Sequence, residues 1–327
     1  MRSFSGTLAV TLTLVGGAAA LTLPRSTSSY PGLKGLKYFF SFGDSYTTTG
    51  FNITDGSPLP AKGNPLGNPP YPGWTASNGP NWIDYLTVEF NQTETLTFNF
   101  AYGGATIDSA LVAPYEPQVL SLKQQVEDLF LGVLQPQKAT IAPWTAGDSL
   151  FLIWIGINDI GSSYLAHPDA SDEFHRELMD EYFNLVDELY AVGARNFLFM
   201  DVPPVNRSPL TVGQGNQAVS LETEALASYN SLLACRVSDL KKTKSGVWAK
   251  VFKSSKVFNT ILENPEQYGF KNAITYCSSY QNGTPEWNTF YPECGVPVDQ
   301  YFWLNSLHPT HNVHKIIAAA LANALCV

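Results

Sequence analysis

Four residues that lie far apart in the sequence have the types and settings that acyl-transfer chemistry requires. Ser45 comes three residues after the largely apolar run YFFSF, Gly103 opens a glycine pair, Asn158 lies in GIND, and His308 lies in WLNSLHPTHNVH. A serine with a histidine as its base is an activated nucleophile, so we predict these roles for Ser45 and His308. The N–H groups of Ser45 and Gly103 and the Asn158 amide are predicted to form the oxyanion hole.

These residues also have ordinary structural roles to consider. Ser45 is equally well placed as the N-cap of a helix that starts after the turn. Gly104 could supply the oxyanion N–H in place of Gly103, because either glycine allows close backbone approach. Asp159, beside Asn158, could support a neighbouring group or simply form a turn.

Three histidines near the C-terminus have a spacing that invites a metal site. His308, His311 and His314 form H-x-x-H-x-x-H. The helical H-E-x-x-H pattern is absent, Pro309 interrupts the first spacing, and no carboxylate or cysteine is nearby to complete a zinc site. We therefore predict no metal and no other cofactor.

A parallel sheet is predicted to bring the four residues together. Short apolar runs, typical of strands buried on both faces, occupy residues 38–42, 96–102, 149–155, 196–202 and 247–252. Helical apolar spacing lies between and after them, at residues 119–133, 174–189 and 221–240, with further helices beginning near 81 and 312. This alternation predicts an α/β fold, a three-layer α/β/α sandwich with a five-stranded parallel sheet. Such sheets bind ligands outside the carboxyl ends of their strands, where Ser45, Gly103 and Asn158 lie.

The composition limits where the protein acts and on what. Residues 1–20 have an early arginine, an apolar run and small residues at the end, which predicts a cleaved secretory signal peptide before a single domain over residues 21–327. The net charge is −9, and only 14% of residues are charged. We therefore expect a secreted, extracellular monomer with no nucleic-acid partner and no membrane association. Secretion agrees with N-glycosylation sequons at Asn52, Asn91, Asn206 and Asn282.

The four cysteines of a secreted chain are predicted to form two disulfides. Three pairings are possible in principle. Cys277 and Cys294 flank one short segment, so we favour Cys277–Cys294, with Cys235–Cys326 as the second bridge.

A long loop follows the first strand. Residues 52–80 are rich in glycine, proline and asparagine, and a loop of this length inside a compact domain is usually functional or disordered. Its Tyr71 and Trp74 could stack on a sugar ring or simply pack within the loop. We predict both, together with Asp44 beside Ser45, as substrate-lining residues.

The sequence blocks around these residues resemble those of the GDSL/SGNH hydrolases. GDSY, NFAYGGA, GIND and SLHPTHNVH occur in the order and spacing of that family's signature blocks, from residue 39 to residue 313. The resemblance implies the roles already given to Ser45, Gly103, Asn158 and His308, and the same five-stranded sandwich. NGPNWIDYL and FWLNSLHPTHNVH further resemble the secreted fungal acetylesterases of carbohydrate esterase family 16. That resemblance implies a serine carboxylic ester hydrolase whose substrate is an acetylated oligosaccharide from plant cell-wall hemicellulose.

Two positions depart from the family pattern. Thr48 stands where GDSLxDxG has its second aspartate, and Asn305 stands where the family has the acid of its triad, three residues before His308. An asparagine oxygen can fix the imidazole tautomer but carries no full charge. We predict that Asn305, or a backbone carbonyl beside it, orients His308 and is the third catalytic residue.

Two other functions fit the same sequence. A GDSL lipase or lysophospholipase would use the same residues with a larger apolar acyl pocket. A glycan-binding protein that has lost catalysis is the other, and Asn305 is the only argument for it. We favour the acetylesterase, because the nucleophile, the base and the oxyanion donors are all present.

Overall fold

The computed structural model describes residue 1 and residues 30–168 and 171–326, so the predicted signal peptide after Met1 lies outside the described residues. The strands are β1 Tyr38–Gly43, β2 Leu96–Asn99, β3 Ser149–Trp154, β4 Asn196–Met200 and β5 Trp248–Phe252. They form a sheet of order β2-β1-β3-β4-β5 in which every neighbouring pair is parallel. The predicted α/β fold with five parallel strands is confirmed.

Helices connect the strands. In chain order they are α1 Trp82–Val88, α2 Leu122–Gln124 with a π-helix Gln125–Leu134 after it, α3 Lys138–Ile141, α4 Ile157–Ser163, α5 Ser171–Ala191, α6 Pro209–Gly213, α7 Asn216–Thr243, α8 Ser254–Glu263 and α9 His311–Leu325. The predicted helix start near residue 81 is a capping box. The Asn81 side chain accepts from the N–H groups of Ile83 and Asp84, and the Asp84 carboxylate accepts from the Asn81 N–H.

The helices form one layer on each face of the sheet. α1 and α8 pack against α9, whereas α5 packs against α7 and the π-helix. Right-handed crossovers in a sheet of this order put these two groups on opposite faces. Because β2 and β3 lie on opposite sides of β1, the carboxyl ends of β1 and β3 border the crevice in which such sheets bind ligands.

The core below the crevice is aromatic. Phe40 of β1 is fully buried, and its ring contacts those of Phe98, Phe130, Trp144 and Phe151. Large rings dominate core energetics and pack at defined angles. They therefore hold β1, and the turn that follows it, at a fixed place in the sheet.

Only one of the two predicted disulfides forms. Cys277 and Cys294 are bonded, but the predicted pair Cys235–Cys326 is wrong, because both thiols are free and exposed. Cys235 lies on α7, and Cys326 follows α9 on the other face, where its sulfur accepts a hydrogen bond from Gln92 at 3.0 Å. The sheet separates the two residues, and a disulfide requires Cα atoms within about 7 Å.

Candidate active site

Ser45 lies in a turn directly after β1. Gly43, the last residue of β1, has a φ of 154°, and a side chain on it would collide with the Trp154 carbonyl of β3. Glycine therefore lets the chain leave the sheet close against β3. The Asp44 carboxylate then accepts from the Tyr46 N–H at 3.0 Å, which tightens the turn and leaves Ser45 half-buried at its apex.

No helix follows this turn, so the predicted helix start is wrong and Ser45 is not an N-cap. In a helix the carbonyls of Thr47 and Thr48 would accept from N–H groups four residues on. Here both accept from the Asn81 amide at 2.9 Å, and Thr47 also accepts from the Asn99 amide at 2.7 Å. Side chains from α1 and β2 thus hold this segment out of a helical path.

Gln125 supports the turn from the other side. Its buried amide accepts from the Gly43 N–H and donates to the Gly43 carbonyl, both at 2.9 Å, so it satisfies the last residue of β1. Sequence reasoning missed this residue. Its signal was a polar side chain three residues after Leu122 and one before Val126, on the apolar face of the predicted helix.

His308 is placed to act on Ser45. The two side chains meet at 2.7 Å between Nε2 and Oγ. The loop that carries the histidine is tied to the serine turn, because the Tyr46 hydroxyl donates to the Leu307 carbonyl at 2.7 Å. Relative movement of the pair is therefore restricted by a contact outside the pair itself.

Asn305 determines the tautomer of His308. Its Oδ1 accepts from the backbone N–H groups of Leu307 and His308, at 3.0 and 2.8 Å, which identifies this atom as the oxygen of the amide. The same oxygen lies 3.0 Å from His308 Nδ1. Since an amide oxygen only accepts, Nδ1 carries the proton, and the lone pair of Nε2 faces the Ser45 hydroxyl.

The environment keeps the imidazole uncharged. Burial lowers the pKa of His308 to about 4, since the packed ring cannot solvate a positive charge. Its hydrogen-bond partner on Nδ1 is a neutral amide, so no carboxylate raises the pKa again. The base is therefore unprotonated at neutral and mildly acidic pH.

Asn158 presents an oriented amide at the start of α4. One N–H of this half-exposed side chain donates to the Ala105 carbonyl at 2.8 Å, which fixes the plane of the amide. The second N–H has no acceptor among the described residues. Among the hydrogen bonds of the described residues, the backbone N–H groups of Ser45 and Gly103 likewise have no acceptor.

The loop that carries the glycine pair after β2 is hydrogen-bonded to the chain just before Ser45. The Tyr102 N–H donates to the Gly43 carbonyl at 3.1 Å. Gly104 has a φ of 84°, and a side chain there would overlap the Tyr115 ring. Gly104 is thus required for the shape of the loop, whereas a side chain on Gly103 would meet no atom within 4 Å.

Asp44 does not line the substrate site, and that prediction is wrong. Its carboxylate is fully buried beneath the turn, as is that of Asp159, whose Oδ1 accepts from the Ile107 N–H at 3.0 Å. The pKa of both carboxyl groups is raised to about 7, mainly by desolvation, and for Asp44 the charge of Asp159 contributes to this rise. Both residues shape the loops around the site from below.

Trp74 divides the surface around the site into two clefts. It is 76% exposed and borders both. The first, about 440 Å³, is bordered by Gly103 and is largely apolar. The second, about 480 Å³, is bordered by Asn305 and is polar. Tyr71 lines neither; it packs edge-on against Trp287, with ring centroids 6.5 Å apart.

The three C-terminal histidines have separate partners. His311 Nδ1 is bonded to the Tyr85 hydroxyl at 2.9 Å, and His314 is buried with its ring near that of Tyr46. Within residues 30–168 and 171–326, no cluster of three or more histidine, cysteine, aspartate or glutamate side chains could hold a metal ion.

The four sequon asparagines differ in whether their amide nitrogen is free to carry a glycan. Asn52 and Asn282 are exposed. The amide nitrogens of Asn91 and Asn206 instead donate to Thr87 and Thr223, at 2.5 and 2.6 Å.

Comparison with known proteins matches the part of the chain that contains the sequence blocks GDSY, NFAYGGA, GIND and SLHPTHNVH. The profile of the GDSL-like lipase/acylhydrolase family matches residues 39–321. The chain belongs to this family. Membership in the GDSL-like lipase/acylhydrolase family confirms the predicted resemblance and the prediction of a carboxylic ester hydrolase.

Relatives within and around the family were found by sequence and by structure. An acetylesterase of Thermothelomyces thermophilus is 38% identical over 326 residues, which covers 99% of this chain and 98% of that protein. A phosphatidylcholine-sterol acyltransferase of Aeromonas hydrophila is 27% identical, over 84% of this chain and 73% of that protein. Among solved structures, an acetylxylan esterase from Geobacillus stearothermophilus aligns with a TM-score of 0.47 at 14% identity, covering 89% and 96% of the two chains. The described helices include none with the length and apolarity needed to cross a membrane.

Proposed function

We propose that the protein is a secreted serine acetylesterase that removes acetyl groups from hemicellulose oligosaccharides of the plant cell wall. The observation that carries this proposal is the 2.7 Å contact of Ser45 Oγ with the unprotonated Nε2 of His308. The assignment of an acetyl ester as the substrate is supported by similarity to the acetylesterase from Thermothelomyces thermophilus, which aligns over 99% of this chain.

In the proposed reaction Ser45 Oγ attacks the ester carbonyl carbon while its proton passes to His308 Nε2. The N–H groups of Ser45 and Gly103 and the Asn158 amide bind the oxyanion of the tetrahedral intermediate. Protonated His308 then gives its proton to the departing alcohol oxygen, leaving an acetyl group on Ser45. Water, deprotonated by the same histidine, releases acetate and restores the serine.

The neutral partner of His308 favours an ester as substrate. Asn305 holds the tautomer but adds no negative charge to stabilise the imidazolium that forms in each step. Alcohols leave more easily than amines, so an ester requires less help from this pair than an amide does. The site therefore suits an ester rather than an amide.

The test is acetate release from acetylated xylo- and manno-oligosaccharides. Ser45→Ala should keep its fold and lose at least about 10³-fold in kcat/KM, because no nucleophile remains. The matched control is Ser306→Ala, a half-buried serine of the histidine loop whose hydroxyl makes no hydrogen bond among the described residues. Hydrolysis by Ser45→Ala at the rate of the wild type would contradict the proposal.

A second candidate function is hydrolysis of longer acyl esters, as by a lipase or lysophospholipase. The observation in its favour is the apolar cleft beside Gly103, about 440 Å³ in volume and lined in part by Phe51, Phe100, Leu120 and Leu129. A series of 4-nitrophenyl esters separates the two. An acetylesterase loses kcat/KM steeply beyond propionate, whereas a lipase retains it through octanoate.

We also propose that the enzyme is an extracellular monomer with one catalytic domain after the signal peptide. A glycan is proposed on Asn52, whose side chain is exposed. Asn282 is exposed too, but it lines the polar cleft, so its amide is assigned to contact with substrate instead of a glycan. Mass spectrometry of the secreted protein before and after endoglycosidase treatment tests the cleavage site and the occupancy of both sequons together.

A further inference from the structure

A polar groove runs away from the catalytic pair on the side of Asn305. One wall is the segment 72–79, which carries Trp74, and the other is the segment 281–287, inside the loop closed by the disulfide. Its volume is about 480 Å³, and Leu304 and Asn305 of the histidine loop also line it. We call it the Trp74–Trp287 groove.

The two walls of the Trp74–Trp287 groove are joined to each other. Asn78 Nδ2 donates to Thr284 Oγ1 at 2.9 Å, and the Thr284 N–H donates back to Asn78 Oδ1 at 2.6 Å. Asn78 has a φ of 56°, a left-handed conformation that costs energy outside glycine and that clusters at ligand sites. The groove is therefore held in one shape before any ligand arrives.

The floor of the groove is fixed to the histidine segment. The His311 N–H donates to the Ser77 carbonyl at 2.7 Å, and the Gly79 backbone packs so closely on His311 that any side chain at Gly79 would press on the ring. Trp287 packs at a tilt against the same ring, with centroids 5.7 Å apart. These contacts hold the groove at a constant distance from His308.

The lining of the groove is uncharged, aromatic and rich in amides. Trp74 and Trp287 remain 76% and 41% exposed. The other polar side chains on its walls are those of Thr75, Asn78, Gln281, Asn282 and Thr284, with no charged residue among the groove-lining positions. Exposed indole rings cover the apolar faces of ligands, and amides both donate and accept hydrogen bonds to hydroxyl groups. This chemistry fits neutral sugar residues and disfavours a charged lipid headgroup.

The position of the groove assigns it to one half of the substrate. The departing alcohol takes its proton from His308 Nε2. Asn305, which is bonded to Nδ1 of the same ring, lines the groove, so the groove borders the histidine loop that serves the alcohol. The acyl group has the apolar cleft beside Gly103 on the other side of Trp74.

We infer that the Trp74–Trp287 groove binds the sugar residues of the leaving alcohol, with Trp287 as the residue that gives preference for oligosaccharides. This inference rests on the proposed acetylesterase function. It adds that neutral sugar units beyond the acetylated one are held between the two tryptophans.

The test compares two substrates across matched variants. The ratio of kcat/KM for acetylated xylotriose to kcat/KM for 4-nitrophenyl acetate should fall roughly tenfold in Trp287→Ala, mainly through KM, which is the loss expected for one stacking contact. Trp287→Phe should restore part of the ratio, because a ring remains. Phe290→Ala is the control: Phe290 lies in the same loop and is exposed, but does not line the groove, so the ratio should match that of the wild type.

Direct binding gives a second measurement. The Ser45→Ala protein, titrated calorimetrically with unacetylated xylotriose, should bind it, and Ser45→Ala with Gln281→Ala should bind it more weakly. An unchanged ratio in Trp287→Ala, or equal binding by the two proteins, would overturn the groove assignment while acetate release by the wild type continued to support the proposed function. If the wild type cleaves 4-nitrophenyl acetate and releases no acetate from oligosaccharides, the carbohydrate substrate itself is wrong and the assignment falls with it.

Discussion

Asn305 provides the geometry of a triad acid without its charge. Three hydrogen-bond donors meet at its side-chain oxygen: the N–H groups of Leu307 and His308, and the His308 Nδ1–H. The two backbone bonds keep the amide from rotating, so the tautomer is as well defined as an aspartate would make it. The imidazolium formed during the reaction, however, has no neighbouring anion to stabilise it.

This difference predicts the acid limb of the pH profile. His308 acts as a base only when neutral, and its pKa is lowered by burial to about 4, so wild-type kcat/KM should fall only as the pH drops towards 4. In Asn305→Asp a carboxylate would favour the imidazolium and move the limb up by roughly 1–3 pH units. Asn305→Ala should lose about tenfold or more, because the ring is no longer oriented.

The measurement is kcat/KM for acetate release between pH 3.5 and 8, with each variant's fold checked by circular dichroism. A wild-type limb near pH 6.5 would show that His308 is not desolvated as described. An identical limb in Asn305→Asp would show that residue 305 does not contact the ring in solution.

How far the sequence predicts the site depends on how local each contact is. Asn305 and His308 are three residues apart in one loop, and the family blocks place both, so their pairing could be predicted. Gln125 and Tyr46 act on residues 82 and 261 positions away in the chain. No periodicity records such contacts, and the same is true of the Asn81 amide that keeps the turn after Ser45 from becoming a helix.

At the scale of elements, the segment closed by Cys277 and Cys294 shares a small core with the residues that directly follow it. Tyr280, Cys294, Val298, Tyr301 and Leu304 form a buried cluster separate from the main one. So few apolar residues supply little stability, and the disulfide compensates by restricting the unfolded segment.

Replacing both bonded cysteines by serine should therefore lower the free energy of unfolding by roughly 3 kcal/mol, the value expected for a loop of this length. Cys235→Ser is the matched control and should change it by less than about 0.5 kcal/mol, because that thiol is exposed and free. Urea unfolding measures both. Equal destabilisation by Cys235→Ser would show that a bridge to Cys326 forms after all.

The central strands were predictable because they are buried on both faces and so consist almost entirely of apolar residues. All six side-chain positions of β1 and of β3 are buried. Whether Cys235 and Cys326 form a disulfide could not be predicted from apolar runs. The answer depends on which face of the sheet α7 and α9 cover, and sequence spacing carries no information on that.

At the scale of the whole molecule, buried ionisable groups give stability two opposing pH dependences. Asp44 and Asp159 have a pKa raised by burial from 3.8 to about 7, so their contribution to stability is full below pH 4 and is lost as pH rises towards 7. His308 and His314 have a pKa lowered by burial to about 4 and about 3, so stability falls as pH drops from 6.5 towards those values. The two trends offset each other over much of the mildly acidic range.

Asp159→Asn removes one of the two carboxyl groups whose ionisation lowers stability as the pH rises. Its amide oxygen can still accept from the Ile107 N–H, but the side chain no longer ionises. The Tm of this variant relative to the wild type should therefore be higher at pH 7.5 than at pH 4.5, as measured by calorimetry. Asp128→Asn, an exposed position on the π-helix, should shift Tm equally at both pH values. If the Tm of Asp159→Asn relative to the wild type were the same at both pH values, the buried Asp159 carboxyl group would not have a raised pKa.

The distance along the chain between nucleophile and base has a consequence for biosynthesis. Ser45 and His308 are 263 residues apart. After a ribosome has added Ser45 to the chain, it therefore needs tens of seconds more to add His308. The growing polypeptide carries a serine with no base during that time. Hydrolysis can begin only after the histidine loop is made, so a fragment that ends before His308 has no base and is inactive.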